Sequence, residues 1–109
     1  MARYNANRIS YPEQDRLLQT FCEVVCRLKS PTKVSNFIKD LLNRQERIML
    51  IRRLLVAELL LDGKTYRDIQ KKLHVGPPTI ARVDRWLHFG RGGYQEAINI
   101  KKQKRYHTT

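Results

Sequence analysis

Apolar residues recur every three or four positions along most of the chain, the spacing that places side chains on one face of an α-helix. One such segment covers residues 13–28, and Ser30-Pro31 ends it and begins a second, shorter one. A third covers residues 44–61 and stops at Asp62-Gly63. Since no segment alternates apolar and polar residues as a strand does, the sequence predicts an all-α helical bundle.

Two shorter segments follow the third helix. Thr65 and Asp68 have the spacing of a capping box, which predicts a helix at 66–73. Residues 74–76 have the composition of a tight turn. A further helix is predicted at 79–88, after two prolines that a helix tolerates only in its first turn. Two helices joined in this way predict a helix-turn-helix at residues 65–88.

The predicted helical domain covers residues 13–95, which at this chain length is a single domain. The polar residues 1–12 predict a flexible arm. After the glycines of residues 90–93 we expect one more helical turn at 96–100, at the start of a basic C-terminal tail, residues 96–109.

The net positive charge of the chain indicates a polyanionic partner. The chain has 22 Lys and Arg against 10 Asp and Glu, a net charge of +12, and residues 64–109 contribute eleven of those basic and three of those acidic residues. Such a concentrated positive field is typical of proteins that bind DNA, RNA or an acidic membrane surface. A basic protein without a polyanionic partner is the plain alternative. No apolar run is long enough to span a bilayer, so we expect no membrane partner.

Other chemistry is weakly represented. Cys22 and Cys26 lie four residues apart among apolar neighbours, a spacing that suits neither a disulfide nor, without a second pair, a zinc site. We expect two reduced core cysteines in a cytoplasmic protein. The N-terminus lacks the apolar region of a signal peptide. His74, His88 and His107 lack the spacing of metal ligands, and no nucleophile accompanies a base. The sequence therefore predicts no enzyme activity, no cofactor and no metal.

The helix-turn-helix has the residues that a DNA reader needs. A seam of Ile69, Leu73, Val75, Ile80 and Val83 joins its two helices. Free N–H groups at the start of the second helix are expected to meet a phosphate, and an arginine on its outer side, Arg82, to read guanine. Basic residues of the first helix would contact the flanking backbone. The predicted DNA-binding residues are Thr65, Tyr66, Arg67, Lys71, Lys72, Gly76, Pro77, Pro78, Thr79, Arg82 and Arg85.

Several motifs together resemble the Trp repressor superfamily, in particular its TrpR-like YerC/YecD group. They are Leu41-Leu42-Asn43, Glu46-Arg47, Arg53, residues 58–63, residues 66–69, residues 76–82 and Gly92-Gly93-Tyr94. The resemblance covers about residues 15–95. It implies an intertwined homodimer whose N-terminal helices interlock and whose two reader heads face successive major grooves. The apolar faces of the first two helices, wider than a monomer of this size readily covers, agree with that implication.

The same resemblance implies a corepressor pocket between the long helix and the reader helix. Arginines matching Arg53 and Arg82 flank the ligand in the family, and Asn43 would add a polar contact. Val83 replaces a glycine that makes room for an indole, and Trp86 replaces a small serine, so we expect the Trp86 indole to fill the pocket. The sequence thus predicts a vestigial pocket, a structural or DNA-facing role for both arginines, and no assured effector.

The function that these features predict is sequence-specific, homodimeric binding to double-stranded DNA by a transcriptional regulator, with a repressor favoured. One alternative is an RNA- or ribosome-associated basic protein that uses the arm and tail. It is disfavoured because the aromatic residues are scattered rather than grouped for base stacking. A helical scaffold or polymerase-associated module is another alternative. A tryptophan-gated repressor is disfavoured by Val83 and Trp86.

Overall fold

The computed structural model describes residues 5–99, and the chain forms two compact units, Met1–Asn43 and Arg44–Thr109. Part of the predicted arm, residues 1–4, and most of the predicted basic tail, residues 100–109, lie outside the described residues. All regular structure within residues 5–99 is helical, which confirms the all-α class. None of the helices in this range is long and apolar enough to cross a membrane.

The first unit contains a short 3-10 helix and two α-helices. Their bounds are Ala6–Arg8, Tyr11–Cys26 (α1) and Pro31–Leu41 (α2). Serine caps begin both α-helices: the Ser30 hydroxyl accepts a hydrogen bond from the Lys33 N–H at 3.2 Å, as predicted. Ser10 does the same for the Glu13 N–H at 3.4 Å, so α1 begins two residues before the predicted start.

The described part of the first unit, residues 5–43, has no buried core. None of the residues of α1 or α2 is buried, although the rings of Phe21 and Phe37 lie 6.1 Å apart. Leu18 is 58% exposed. Cys22 and Cys26 are free and exposed, so the prediction that they lie in a core is wrong for the single chain. Periodicity correctly identified an apolar face on α1, but the rest of residues 5–43 leaves that face largely uncovered.

The second unit contains the long helix and the predicted helix-turn-helix. Its elements are Arg44–Leu61 (α3), Tyr66–Leu73 (α4), Pro77–Phe89 (α5) and a helical stretch at 93–99. Gly63 has the left-handed conformation expected after α3, with φ of 84°. The reader helix α5 begins at Pro77 rather than at residue 79, because Gly76 is its N-cap and two prolines occupy its first turn.

The core of the second unit joins α3 to the helix-turn-helix. Its buried residues are Val56, Ala57, Ile69, Val75, Ile80, Val83, Leu87 and Ile98. Four of the five predicted seam residues are among them, and the fifth, Leu73, packs against the core while partly buried. Ile98 was not predicted: the last helical stretch begins at residue 93, three residues early, and returns this side chain to the core.

The long helix α3 is apolar on more than one side. Val56 and Ala57 are fully buried in the core of the second unit. In contrast, several large apolar side chains in its N-terminal half are exposed, with Ile51 at 56%. Each apolar side of a helix normally has cover. Within residues 44–99, the second unit therefore covers one side of α3 and leaves another side without cover.

Candidate nucleic-acid interface

The first helix of the helix-turn-helix begins with the predicted capping box. The Asp68 N–H donates to the Thr65 hydroxyl at 3.2 Å, and the Thr65 N–H donates to the Asp68 carboxylate at 3.3 Å. Hydrogen bonding to Thr65 lowers the pKa of Asp68 below its ordinary value. Because the folded-state pKa is the lower one, this contribution to stability is present at neutral pH and is lost as the pH falls through it.

The turn between the helices is held by Arg52, a residue to which the sequence analysis gave no role. His74 is left-handed, with φ of 54° and ψ of 41°, and its N–H closes α4 on the Gln70 carbonyl. Arg52, on α3, donates through Nη2 to the carbonyls of Leu73 at 2.7 Å and His74 at 2.8 Å. A charged donor thus meets the negative end of α4 and attaches the turn to the long helix.

The exposed side of α5 forms a continuous stripe. Pro78, Arg82, Arg85 and Phe89 are exposed and lie three or four residues apart, opposite the buried side of the helix. We call these four residues the reader stripe. Phe89 is 80% exposed and was not predicted, because an apolar residue at a helix end is usually a packing residue. Thr79 and Pro77 are also exposed, beside the stripe.

The start of α5 differs from the prediction in one respect. Pro77 and Pro78 have no N–H, and the N–H groups of Thr79 and Ile80 both donate to the Gly76 carbonyl, at 3.1 and 3.4 Å. The free N–H donors expected at the start of this helix are therefore not found among residues 77–80. What this end of the helix offers an anion is the positive pole of its dipole and the side chains around it.

The predicted residues of α4 separate into two groups. Arg67, Lys71 and Lys72 are exposed, as contacts to a phosphate backbone require. The Tyr66 hydroxyl instead donates to the Asp84 carboxylate of α5 at 2.7 Å. Its proton is therefore engaged within the protein rather than offered to an external acceptor, and Thr65 is similarly engaged in the cap.

A cleft of about 850 Å³ opens between α3 and α5. Its lining residues are Met49, Arg52, Arg53, His74, Val75, Gly76, Pro78, Thr79, Arg82, Val83, Trp86 and Tyr94. Arg53 and Arg82 both contribute to it, as the resemblance implied, while Asn43 is not among the lining residues. The expected filling by Trp86 is not observed, because its indole lines the cleft, is 52% exposed and leaves the space open. Arg82 thus lines the cleft and is also part of the reader stripe.

Comparison with known proteins agrees with this geometry. The family model for the Trp repressor protein matches residues 16–102. The uncharacterized protein YerC of Bacillus subtilis (strain 168) is 33% identical over 79 residues, which are 72% of this chain and 76% of YerC.

Two solved structures have the same fold. A TrpR-like protein from Eubacterium eligens ATCC 27750 is 28% identical, with a TM-score of 0.75 over 80% of this chain and 90% of that one. A candidate Trp repressor from Staphylococcus aureus, 24% identical, has a TM-score of 0.73 over 92% of this chain and 96% of that one. The chain therefore belongs to the Trp repressor family, in its TrpR-like, YerC-related group.

Proposed function

We propose that this protein is a sequence-specific DNA-binding transcriptional regulator, most simply a repressor, that places α5 in the major groove. The reader stripe is the observation that supports this function most strongly. Arg82 and Arg85 project from one exposed side of a helix whose other side is fixed in the core. A guanidinium can donate two hydrogen bonds to guanine, and the Phe89 ring offers an apolar contact for a thymine methyl.

The basic residues of α4 complement the reader stripe. Arg67, Lys71 and Lys72 provide three exposed positive charges on the helix that precedes α5. In helix-turn-helix proteins the first helix crosses the DNA backbone while the second lies in the groove. We therefore assign these three side chains to phosphate contacts, which orient the protein without reading sequence.

The proposal includes a homodimer. The first unit has no buried residue in either α-helix, and α3 exposes apolar side chains beyond its packed side. A second copy would supply the missing apolar cover for the same surfaces on both chains, as two-fold symmetry allows. Two reader helices related in this way fit half-sites about one helical turn apart.

A salt titration of duplex binding tests the proposal. If three basic residues from each of two chains neutralise phosphates, affinity for a duplex of random sequence should fall about a thousandfold between 50 and 200 mM salt. Fluorescence anisotropy of a labelled duplex measures this directly, with a single-stranded RNA of equal length as competitor. A duplex affinity that does not change with salt, or an RNA that displaces the duplex at equal concentration, would contradict the proposal; the second result favours the RNA-associated alternative.

A further inference from the structure

The reader helix has one acidic residue, Asp84, and its carboxylate is engaged on both oxygens. Oδ2 accepts the hydrogen bond from the Tyr66 hydroxyl at 2.7 Å, and Oδ1 lies 3.2 Å from Nδ1 of His88. The same His88 nitrogen lies 2.8 Å from the Asp84 carbonyl oxygen. The contact with His88 stays within α5, whereas the contact with Tyr66 joins the first residue of α4 to the middle of α5.

The Tyr66–Asp84 hydrogen bond lies where it can fix the angle between α4 and α5. Arg52 holds the C-terminal end of α4 at the turn, and Tyr66 lies at the opposite end, about 10 Å away along an eight-residue helix. Between these two ends, α4 packs through the apolar seam around Ile69, and apolar packing is not directional. A hydrogen bond to a carboxylate is directional. The Tyr66–Asp84 bond at the N-terminal end of α4 therefore adds a second directional contact to that of Arg52, and it restricts rotation of α4 against α5.

The negative charge of Asp84 also indicates a structural role for this residue. A carboxylate on a helix that approaches phosphates weakens binding to any DNA sequence, so charge alone does not explain an acid at this position. Its hydrogen bond also raises the pKa of Tyr66, with partial burial and the charge of Asp84 adding to the effect. The ordinary pKa of a tyrosine already lies well above neutral, so the hydroxyl keeps its proton in the neutral range. Because the folded-state pKa is the higher one, the support from this hydrogen bond is lost as the pH rises through it.

We infer that Tyr66 and Asp84 are positioning residues for DNA recognition: their hydrogen bond sets the angle between α4 and the reader helix. This inference rests on the proposed DNA-binding function and deepens it. Phosphate contacts from α4 and base contacts from α5 can form together only at a suitable angle between the two helices. Binding to random DNA needs only positive charge and tolerates other angles, so the hydrogen bond contributes to selectivity more than to affinity for DNA in general.

Measuring selectivity in single and double variants tests the inference. Selectivity is the ratio of affinities for a duplex selected by the unaltered protein and for a scrambled duplex of the same length and composition. Tyr66→Phe and Asp84→Ala should each lower this ratio about tenfold, the size of one hydrogen bond to a charged group. The double variant should lose no more selectivity than Asp84→Ala alone, because both changes remove the same interaction.

Two further variants separate positioning from charge. Asp84→Asn removes the charge but keeps an oxygen that accepts from Tyr66, so it should retain selectivity while binding both duplexes more tightly. His88→Ala breaks a contact within α5 and should change the ratio less than about twofold. Tyr66→Phe keeps the ring, and an unchanged circular dichroism spectrum of the variants shows that the fold is intact.

Two results would overturn the inference: an unchanged ratio in Tyr66→Phe, or losses in the two single variants that add in the double. Failure of the proposed function looks different. In that case the unaltered protein itself shows no preference among duplexes, whereas failure of the inference alone leaves a selective protein whose selectivity survives both substitutions.

Discussion

Replacing Leu18 by Glu should convert the protein from a particle of about 26 kDa, twice the 13.0 kDa mass of the chain, into single chains. Leu18 is 58% exposed in the single chain, so the substitution costs little there. In the proposed dimer the same side chain is covered by the second copy, and a buried, unpaired carboxylate is strongly unfavourable. Light scattering coupled to size-exclusion chromatography at micromolar concentration measures both masses.

The same substitution should also reduce helicity. The first unit has no buried residue in α1 or α2, and helices of 16 and 11 residues are marginal in water without tertiary packing. Circular dichroism should therefore show a partial loss of helical signal that accompanies dissociation, with the core of the second unit retained.

A matched control lies on the next residue of the same helix. Gln19→Lys places a unit charge on the polar side of α1, between Asp15 and Glu23 one turn away on either side, and should leave both the mass and the helicity unchanged. A particle of about 26 kDa after Leu18→Glu would show that this face is not the interface, and an unaltered protein of 13.0 kDa would contradict the homodimer itself.

Removing both arginines of the reader stripe should lower affinity for a selected duplex by about thirtyfold to twenty-thousandfold. Each base-reading arginine is expected to contribute about 1–3 kcal/mol, and Arg82 and Arg85 lie on one exposed side of α5. The double variant Arg82→Ala, Arg85→Ala should also bind selected and scrambled duplexes almost equally. Titration of both duplexes at one fixed salt concentration measures the two effects.

The control for this prediction removes the same charge elsewhere. Lys29 and Lys33 are exposed basic residues of the first unit, and their double alanine variant should lose less than about tenfold on either duplex. If the two double variants lose affinity equally, and equally on both duplexes, the effect of Arg82 and Arg85 is one of charge alone and the reader stripe does not read sequence.

Local signals accounted for most of the fold. Capping residues and apolar spacing correctly predicted α2, α3 and α4, and the turn at residues 74–76 and the helix end at Gly63 lie where the sequence placed them. The missed cap at Ser10 has an acidic residue three positions later, Glu13, which is the spacing of the Thr65–Asp68 capping box, so it was readable from the sequence. The error on free N–H groups in α5 was also avoidable, because proline carries none.

The remaining features depend on contacts between distant residues. Arg52 lies 21 and 22 residues before the two carbonyls that it holds, and Tyr66 lies 18 residues before Asp84. No local pattern distinguishes these side chains from other exposed polar residues. Exposure of Cys22 was missed for a related reason: periodicity shows which face of a helix is apolar, but not whether anything in the chain covers it.

Selection of bound duplexes from a random pool tests the central claim most directly, because one measurement reports DNA binding, sequence preference and symmetry. We expect the enriched sequences to share two half-sites, related by two-fold symmetry and spaced about 10 base pairs from centre to centre. Enrichment should be lost when the pool is selected with Arg82→Ala, Arg85→Ala. A pool that remains random after repeated rounds with the unaltered protein would contradict the claim.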